Sequence, residues 1–315
     1  MELDFETIAC PFCGSEKDNE FLKANDRLNP NGDREFRLVI CSKCNFIFLN
    51  PRPTRATISA FYEREGYQPF LSTLSNPGLL DQVYDLARRF AIRSKRHTIE
   101  KLMPPGKLLD VGCGTGEFLF EMQRHGWQVE GLETDERAAE FARDRYQLKI
   151  LSDDLQRCNF SSSQFDVITL WHVLEHLYAP LTALKKVRNL LTDNGFILIA
   201  APNVASFDAR FYKANWVALD APRHLQHFTP ETMAAFCGAA GLKIKKFAQV
   251  VLDAFYNPLM SDLLSAKKRG ASAVMSLLYV KRSFLVALIS LVKASRLQKQ
   301  EKRLGSSILY YIQKV

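Results

Sequence analysis

The sequence lacks an apolar run long enough to cross a membrane. The two candidates, residues 272–280 and 283–292, are shorter than the roughly 20 residues that a spanning helix needs. The first nine residues carry three acids and no apolar stretch, so no secretory signal is expected. The seven cysteines are odd in number, which argues against a secreted disulfide framework. We therefore expect a globular protein of the reducing cytoplasm.

The glycine-rich segment Asp110-Val-Gly-Cys-Gly-Thr-Gly116 lacks the third glycine of a dinucleotide-binding loop, because Glu117 occupies that place. It also lacks the Lys-Ser/Thr of a Walker loop. Gly112, Gly114 and Gly116 are predicted to let the backbone approach a ligand between a strand and a helix. A carboxylate at the helix mouth disfavours a pyrophosphate and tolerates a zwitterion, which favours S-adenosylmethionine.

Further residues expected to bind S-adenosylmethionine, the methyl donor, follow the next strands. They lie at the edge where open α/β sheets bind ligands. Glu133 ends the second strand and is expected to hold the ribose hydroxyls. Asp154 and Leu155 follow the third strand and are expected to meet the adenine. His172 follows the fourth strand and is expected to line the methionine part of the donor.

Strand and helix patterns alternate after residue 107, which predicts a parallel sheet built from βαβ units. The predicted strands are 107–111, 128–133, 149–152, 165–171, 195–201, 243–251 and 307–312. The predicted helices are 81–103, 116–125, 136–146, 180–191 and 230–240. A turn is expected at Asp193-Asn194-Gly195, and Thr229 and Pro230 are expected to start the last of these helices.

The glycine segment, taken with Phe165-Asp-Val-Ile-Thr-Leu-Trp-His-Val-Leu-Glu-His176, resembles the class I S-adenosylmethionine-dependent methyltransferases. The resemblance covers roughly residues 83–252 and the final strand. It implies an α/β, Rossmann-like, seven-stranded methyltransferase sheet whose last strand is antiparallel. It also makes Asp110 part of the donor site.

Two Cys-x-x-Cys pairs precede this region. Cys10 and Cys13 are separated by 27 residues from Cys41 and Cys44, a spacing that predicts a structural four-thiolate zinc ribbon. Six basic and six acidic residues lie between Cys10 and Cys44, so the ribbon lacks the positive surface that nucleic acid requires. With Asn50-Pro-Arg-Pro53 and Phe61-Tyr62 it resembles the front of bacterial methyltransferases of polysaccharide and natural-product pathways.

Histidines cluster at two places that suit proton removal from an acceptor. His176 follows the fourth strand, and His224 and His227 follow the fifth. His224 is the first choice for the general base, and each of the three could instead be structural. Trp216 and Phe211 are expected to form an apolar or sugar-stacking wall.

Leu174-Glu175-His176 also resembles the segment of quinone-biosynthesis O-methyltransferases that in some members binds a divalent metal. His172 stands where those members have a first glutamate, so a catalytic metal at Glu175 and His176 stays open.

Ten lysines and arginines lie between residues 267 and 303 against the single acid Glu301, a net charge of +9 in a chain of net charge +8. These charges flank the two apolar runs. The pattern fits an interfacial helix on the anionic inner face of a membrane, or a helical unit that packs on the sheet or on a second subunit. The oligomeric state is not predicted.

These observations predict three parts: a zinc ribbon with connector at 1–69, a methyltransferase domain at 70–252 plus 305–315, and a basic, apolar helical insertion at 253–304. The expected reaction is O-methylation of a sugar, glycan or related small metabolite. One alternative is C-methylation of a nucleotide sugar, because the cysteine-bearing front resembles the zinc-binding front of deoxysugar C-methyltransferases, although these carry a further C-terminal domain that this chain is too short to hold. The other is a non-catalytic protein that binds S-adenosylmethionine or recruits partners.

Overall fold

The structure, a computed structural model, describes residues 3–29, 34–62, 79–268, 270, 273–298 and 305–315. The strands are β1 (Phe5–Glu6), β2 (Asp18–Asn25), β3 (Glu35–Cys41), β4 (Ile47–Leu49), β5 (Arg52–Pro53), β6 (Lys107–Val111), β7 (Gln128–Glu133), β8 (Ile150–Ser152), β9 (Phe165–Trp171), β10 (Leu191–Pro202), β11 (Gln226–His227), β12 (Leu242–Gln249) and β13 (Ser307–Lys314). The helices are α1 (Leu79–Glu100), α2 (Glu117–Arg124), α3 (Glu136–Tyr146), α4 (Pro180–Leu190), α5 (Phe207–Tyr212), α6 (Pro230–Ala239), α7 (Val251–Lys268) and α8 (Ala273–Gln298).

Seven strands form the central sheet in the order β12-β13-β10-β9-β6-β7-β8. The pairs β10–β9, β9–β6, β6–β7 and β7–β8 are parallel, whereas β13 is antiparallel to both β10 and β12. The predicted sheet with an antiparallel last strand is therefore confirmed. Since the parallel strands end at one edge, the segments that follow β6, β7, β8, β9 and β10 meet there.

The predicted helices and strands from residue 107 onward agree with the structure to within a few residues. Thr229 caps α6 as expected: its hydroxyl accepts the Thr232 amide and Pro230 occupies the first turn. The prediction of a turn at Asp193-Asn194-Gly195 is wrong, because these residues lie inside β10. The register with β9 shifts there, between Leu191 and Phe196, so the turn-forming residues are accommodated as an irregularity of the strand.

A second sheet joins the N-terminal region to the rest of the chain. Its order is β11-β4-β3-β2, so the short strand β11, which lies far along the sequence, completes the sheet of the cysteine-bearing segment. Phe12 and Phe46 pack on Phe236 of α6, with ring centroids 4.5 and 4.7 Å apart. The predicted boundary at residues 69–70 lies outside the described residues.

Arg223 ties the two parts together from a fully buried position. Its Nη2 contacts Asp26 Oδ1 at 2.7 Å and Asp220 Oδ1 at 2.6 Å, and its Nη1 donates to the Phe61 carbonyl at 3.1 Å. Asp26 and Phe61 belong to the N-terminal region, whereas Asp220 belongs to the loop before β11. Arg27 also contacts Asp220, at 2.5 Å, so the two cations and two carboxylates form one network.

None of the described helices is long and apolar enough to cross a bilayer.

We expect Arg223→Met to lower the free energy of unfolding by about 3–5 kcal/mol, because it leaves Asp26 buried without its cation. Urea unfolding measures this loss. The control is Lys149→Met, which removes an exposed pair with Glu130 and should cost less than about 1 kcal/mol. Equal losses in the two variants would contradict the importance of the buried network.

Candidate functional site

The glycine loop between β6 and α2 forms one wall of the candidate site. Gly112, Gly114 and Gly116 have φ angles of +70°, +55° and +77°, a region that favours glycine. A Cβ on Gly112 would lie 2.6 Å from the side chain of Val173. A Cβ on Gly114 would meet no atom of the described residues within 4 Å, so there is room for a ligand beside the loop.

Glu133 holds this loop in place from the end of β7. Its Oε2 accepts the Gly114 amide at 2.8 Å, and its Oε1 accepts the amides of Thr134 and Asp135. A carboxylate has about four acceptor positions, so Oε2 keeps capacity for a hydroxyl donor such as a ribose. The loop and Glu133 thus fit the predicted donor.

Asp110 lies buried at the end of β6, where it accepts a 2.5 Å hydrogen bond from the Thr169 hydroxyl. Burial raises the pKa of Asp110 to about 7, and the nearby Lys95 ammonium partly opposes this shift. The carboxyl is therefore close to half protonated at neutral pH.

The two residues predicted to meet an adenine lie where the third strand ends. Asp154 Oδ1 accepts the Gln156 amide at 2.8 Å, and its Oδ2 contacts Arg55 at 3.2 Å. Leu155 is buried in the apolar core together with Val111 and Leu132. Their contact with the donor stays a prediction.

His172 lies directly after β9 in a left-handed conformation with φ of +58°. Its Nδ1 lies 3.3 Å from Glu175 Oε1 and its Nε2 lies 3.1 Å from Asp253 Oδ2. Burial alone would lower the pKa of His172, but Asp253 and Glu175 outweigh it and raise the pKa to about 10. At neutral pH this side chain is a cation held between two carboxylates.

Glu175, His176 and His224 meet next to His172, and we call them the histidine–glutamate cluster. One ligating atom from each residue lies within 4.8 Å of the others. His224 Nδ1 lies 2.9 Å from the Ala218 carbonyl, and His176 Nδ1 lies 3.1 Å from the Arg223 carbonyl. Each Nδ1 is thus placed to donate its proton, which leaves the lone pair on Nε2.

Glu175 completes the cluster with an unusual carboxylate. The residue is buried, and its Oε2 finds no hydrogen-bond partner among the described residues. Despite burial, His172 holds the pKa of Glu175 down at about 2. An ionised oxygen with free acceptor capacity in such a place is costly unless a ligand completes it.

Burial keeps His224 and His227 neutral. It lowers the pKa of His224 to about 4, with His176 acting in the same direction, and it lowers the pKa of His227 to about 3. The ring of His227 lies in β11, 6.4 Å from that of His224, and its Nε2 has no partner within the described part of the chain. The structure thus brings His224 and His176 together and sets His227 behind them.

Two sequence interpretations need correction. Trp216 is only 2% exposed and donates its Nε1–H to Asp208, so it cannot offer a stacking surface. Glu117 does not leave a free negative charge at the helix mouth, because Arg88 of α1 pairs with it. The glycine spacing alone therefore disfavours a pyrophosphate.

Three site residues were missed by the sequence analysis. Lys95 of α1 lies 4.5 Å above the Trp171 ring, and Arg88 lies two turns before it on the same helix. Their seven-residue spacing is a signal for a shared helix face. Asp253 follows β12, so the rule that placed Glu133 and His172 would also have found it.

The four cysteines converge in the N-terminal sheet region. Cys10 Sγ and Cys44 Sγ are 3.6 Å apart, and Cys13 Sγ and Cys41 Sγ are 3.5 Å apart. Thiolates bound to one tetrahedral zinc ion at about 2.3 Å would be separated by about 3.8 Å. The four thiols could therefore hold a zinc ion.

The two cysteine pairs also lie in backbone turns with the same hydrogen bond. In each, the amide of the residue after the second cysteine donates to the carbonyl of the first: Gly14 to Cys10 and Asn45 to Cys41, both at 2.9 Å. Gly14 and Asn45 have positive φ angles of 70° and 59°. The tight turns aim both thiols of a pair at the same point.

Comparisons with known proteins agree with this geometry. A family model described as "Methyltransferase domain" matches residues 84–246. The chain is 27% identical over 172 residues to the ubiquinone biosynthesis O-methyltransferase of Glaesserella parasuis serovar 5 (strain SH0165), covering 50% of this chain and 71% of that protein. It is 25% identical over 217 residues to the protein of the same name from Xanthomonas campestris pv. campestris (strain B100), covering 64% and 83%.

Among solved structures, a putative sarcosine dimethylglycine methyltransferase from Galdieria sulphuraria matches with a TM-score of 0.50 and 10% identity, over 74% of this chain and 87% of that one. At this identity the likeness concerns the fold.

The titration of Asp110 should be visible in the pH dependence of stability. Its pKa of about 7 exceeds the value of 3.8 for an unperturbed carboxyl, so the folded chain keeps a proton that the unfolded chain releases. As the pH rises from about 4 to about 7, the free energy of unfolding of the wild type should therefore fall relative to that of Asp110→Asn. Urea unfolding of both proteins across this range measures the difference, with the exposed Asp144→Asn as control. A constant difference would contradict the raised pKa.

Proposed function

Because the chain belongs to the methyltransferase domain family and is an S-adenosylmethionine-dependent methyltransferase, we propose that it methylates an oxygen atom of a sugar, glycan or related small metabolite. The observation that carries this proposal is the histidine–glutamate cluster beside the donor loop. A hydroxyl is a poor nucleophile until its proton is removed, and the cluster offers the neutral imidazole of His224 for that purpose.

S-adenosylmethionine, when bound, supplies a methyl group on a positively charged sulfur. In the proposed reaction the acceptor oxygen forms a bond to this methyl carbon, the bond from carbon to sulfur breaks, and the sulfur becomes neutral. The hydroxyl proton passes to Nε2 of His224. The buried Glu175 carboxylate stabilises the imidazolium that forms, because it lies within the same cluster.

His176 positions the acceptor side of the site in this proposal. Its Nδ1 lies 3.0 Å from the Tyr62 hydroxyl and 3.1 Å from the Arg223 carbonyl, so its ring orientation is fixed by the N-terminal region and by the loop before β11. The ring of His176 packs edge-on against that of His224 at 4.6 Å. The ring of His227, 6.4 Å from that of His224, would help to hold the His224 ring in place.

Oxygen is favoured over carbon as the accepting atom because the relatives described above are named O-methyltransferases. C-methylation of a nucleotide sugar is the alternative, supported by the likeness of the cysteine-bearing front to that of deoxysugar C-methyltransferases. The polysaccharide context rests on the same front region.

We also propose that the four cysteines bind a structural zinc ion. The support is the geometry of the thiols and the repeated turn around them. Since β4 pairs with β11 and Asp26 pairs with Arg223, a folded ribbon would hold the loop that carries His224. The zinc would thus stabilise the fold that positions His224 and would take no part in the reaction.

A second role for the histidine–glutamate cluster is a divalent metal site. Two Nε2 lone pairs and one unpartnered carboxylate oxygen form a ligand set that suits zinc, manganese or iron, and both Nδ1 atoms are oriented by backbone carbonyls. In that case Glu175, His176 and His224 would hold the metal, which would supply a Lewis acid that eases removal of the acceptor proton.

We expect His224→Asn to lower kcat by about 100-fold or more, because a positioned base contributes at least that much. The assay incubates the protein with S-adenosylmethionine and panels of nucleotide sugars and of phenols, and quantifies S-adenosylhomocysteine. Donor labelled with ¹³C in its methyl group distinguishes O-methyl from C-methyl products by NMR.

The matched control is His125→Asn, an exposed histidine at the end of α2, which should keep wild-type turnover. Donor affinity, measured by calorimetry, should be unchanged in both variants. Near-normal turnover of His224→Asn would remove it as the base, a C-methyl product would favour the alternative, and no turnover with any acceptor would count against the proposed substrate class.

Metal analysis of the purified protein should find about one zinc ion per chain. Cys41→Ser should lose this zinc and the turnover while it retains donor binding, because the glycine loop is held by hydrogen bonds to Glu133 and Leu132 of β7. Cys158→Ser, which changes a buried cysteine outside the cluster, is the control. A second ion that is lost in His224→Asn would support the metal-site role, and a zinc-free wild type with full activity would contradict the zinc proposal.

A further inference from the structure

Helix α7 buries several polar side chains and exposes large apolar ones. Asn257, Ser261 and Asp262 are buried, and each makes a specific contact with the rest of the chain. Asn257 donates to Ser306, Ser261 accepts the Val217 amide at 2.9 Å, and Asp262 accepts from the Tyr212 hydroxyl at 2.9 Å. Phe255 and Leu263 are exposed instead. A surface helix of a globular protein normally shows the opposite arrangement.

Helix α8 repeats this inversion beside α7. Ser283, Ala287 and Ser290 are buried on this helix, together with Tyr279 and Val286. Its solvent-facing positions hold larger apolar side chains. These are Leu278, Phe284, Leu285, Leu288 and Val292.

The exposed apolar residues of the two helices form one surface, which we call the outer face: Phe255, Leu263, Leu278, Phe284, Leu285, Leu288 and Val292. Each of these side chains is between 38% and 58% exposed. The face is continuous across the helices, since the rings of Phe255 and Phe284 lie 6.4 Å apart. Contiguous exposed apolar surfaces of this kind mark sites of interaction.

The charge of the segment indicates what covers the outer face. Residues 267–303 carry a net charge of +9, and Lys281 is exposed within the apolar row of α8. A second copy of the chain would bring the same positive charge against this face. An anionic surface would instead gain from both the charge and the apolar side chains.

We propose that the outer face docks the enzyme on an anionic lipid bilayer. The 26 residues of α8 span about 39 Å, and the helix would lie in the plane of the interface with its apolar side chains among the acyl chains. Lys281 and Arg282 interrupt the apolar sequence in the middle of α8, which suits a helix that lies on a membrane and does not cross it. Arg282 also pairs with Asp262, so it joins α8 to α7.

Docking through this face would bring the acceptor site close to the bilayer. Asp253 of α7 contacts His172, and Tyr212 of α5, which contacts α7, follows the carboxyl end of β10. This orientation goes beyond the proposed reaction, which needs no membrane.

Flotation of the purified full-length chain with lipid vesicles tests the proposal. The protein should float with vesicles of phosphatidylcholine that contain about 30 mol% phosphatidylglycerol and not with pure phosphatidylcholine, and about 0.5 M sodium chloride should weaken the binding. The double variant Leu285→Glu/Leu288→Glu should reduce the bound fraction by about tenfold or more, because it removes apolar contacts and adds negative charge.

The matched control is Phe21→Glu/Val315→Glu, which makes the same chemical change at two exposed apolar positions outside the outer face and should bind as the wild type does. Affinity for S-adenosylmethionine, measured by calorimetry, should be equal in all three proteins and shows that the variants fold. Failure of the wild type to float with anionic vesicles would overturn the proposal. So would equal binding by the outer-face variant, or a dimer in light scattering that this variant abolishes.

Discussion

The buried guanidinium of Arg223 is the interaction on which the arrangement of the acceptor side depends. It joins Asp26 and Phe61 of the N-terminal region to Asp220 of the loop before β11. The carbonyl of the same residue accepts from His176, and the next residue is His224. A charge with no exposed surface is tolerable only when its partners are fixed, so the N-terminal region, the loop before β11 and the two histidines must take up their positions together.

The donor side depends on a different constraint, the shared edge of the parallel strands. This edge sets Asp110, Glu133 and His172 around the glycine loop because each follows or ends a strand of the same direction. Strand β12 runs in the same direction as β10, because β13 is antiparallel to both, so β12 ends at this edge and Asp253, at the start of α7, reaches His172. The two sides meet at Glu175, which contacts His172 through Oε1 and belongs to the histidine–glutamate cluster.

The cysteine-bearing region and the helices α7 and α8 both contact the site, the first from before the central sheet in the sequence and the second from between β12 and β13. The former supplies a sheet that β11 completes, and the latter supplies a carboxylate to the donor side together with an apolar outer surface. Both regions lie outside the parallel part of the central sheet, and both contribute contacts to the site: Tyr62 to His176 and Asp253 to His172.

Local patterns in the sequence determined the strands, most helix limits, the glycine loop and the four converging cysteines, because each depends on residues close together in the chain. Only the tertiary structure decided that Asp193-Asn194-Gly195 stays within a strand, that Trp216 is buried, and that Arg88 neutralises Glu117. It also decided the meeting of Glu175, His176 and His224 and the inverted polarity of α7 and α8. The physical reason is that burial and charge pairing across distant segments are properties of packing, which local propensity does not encode.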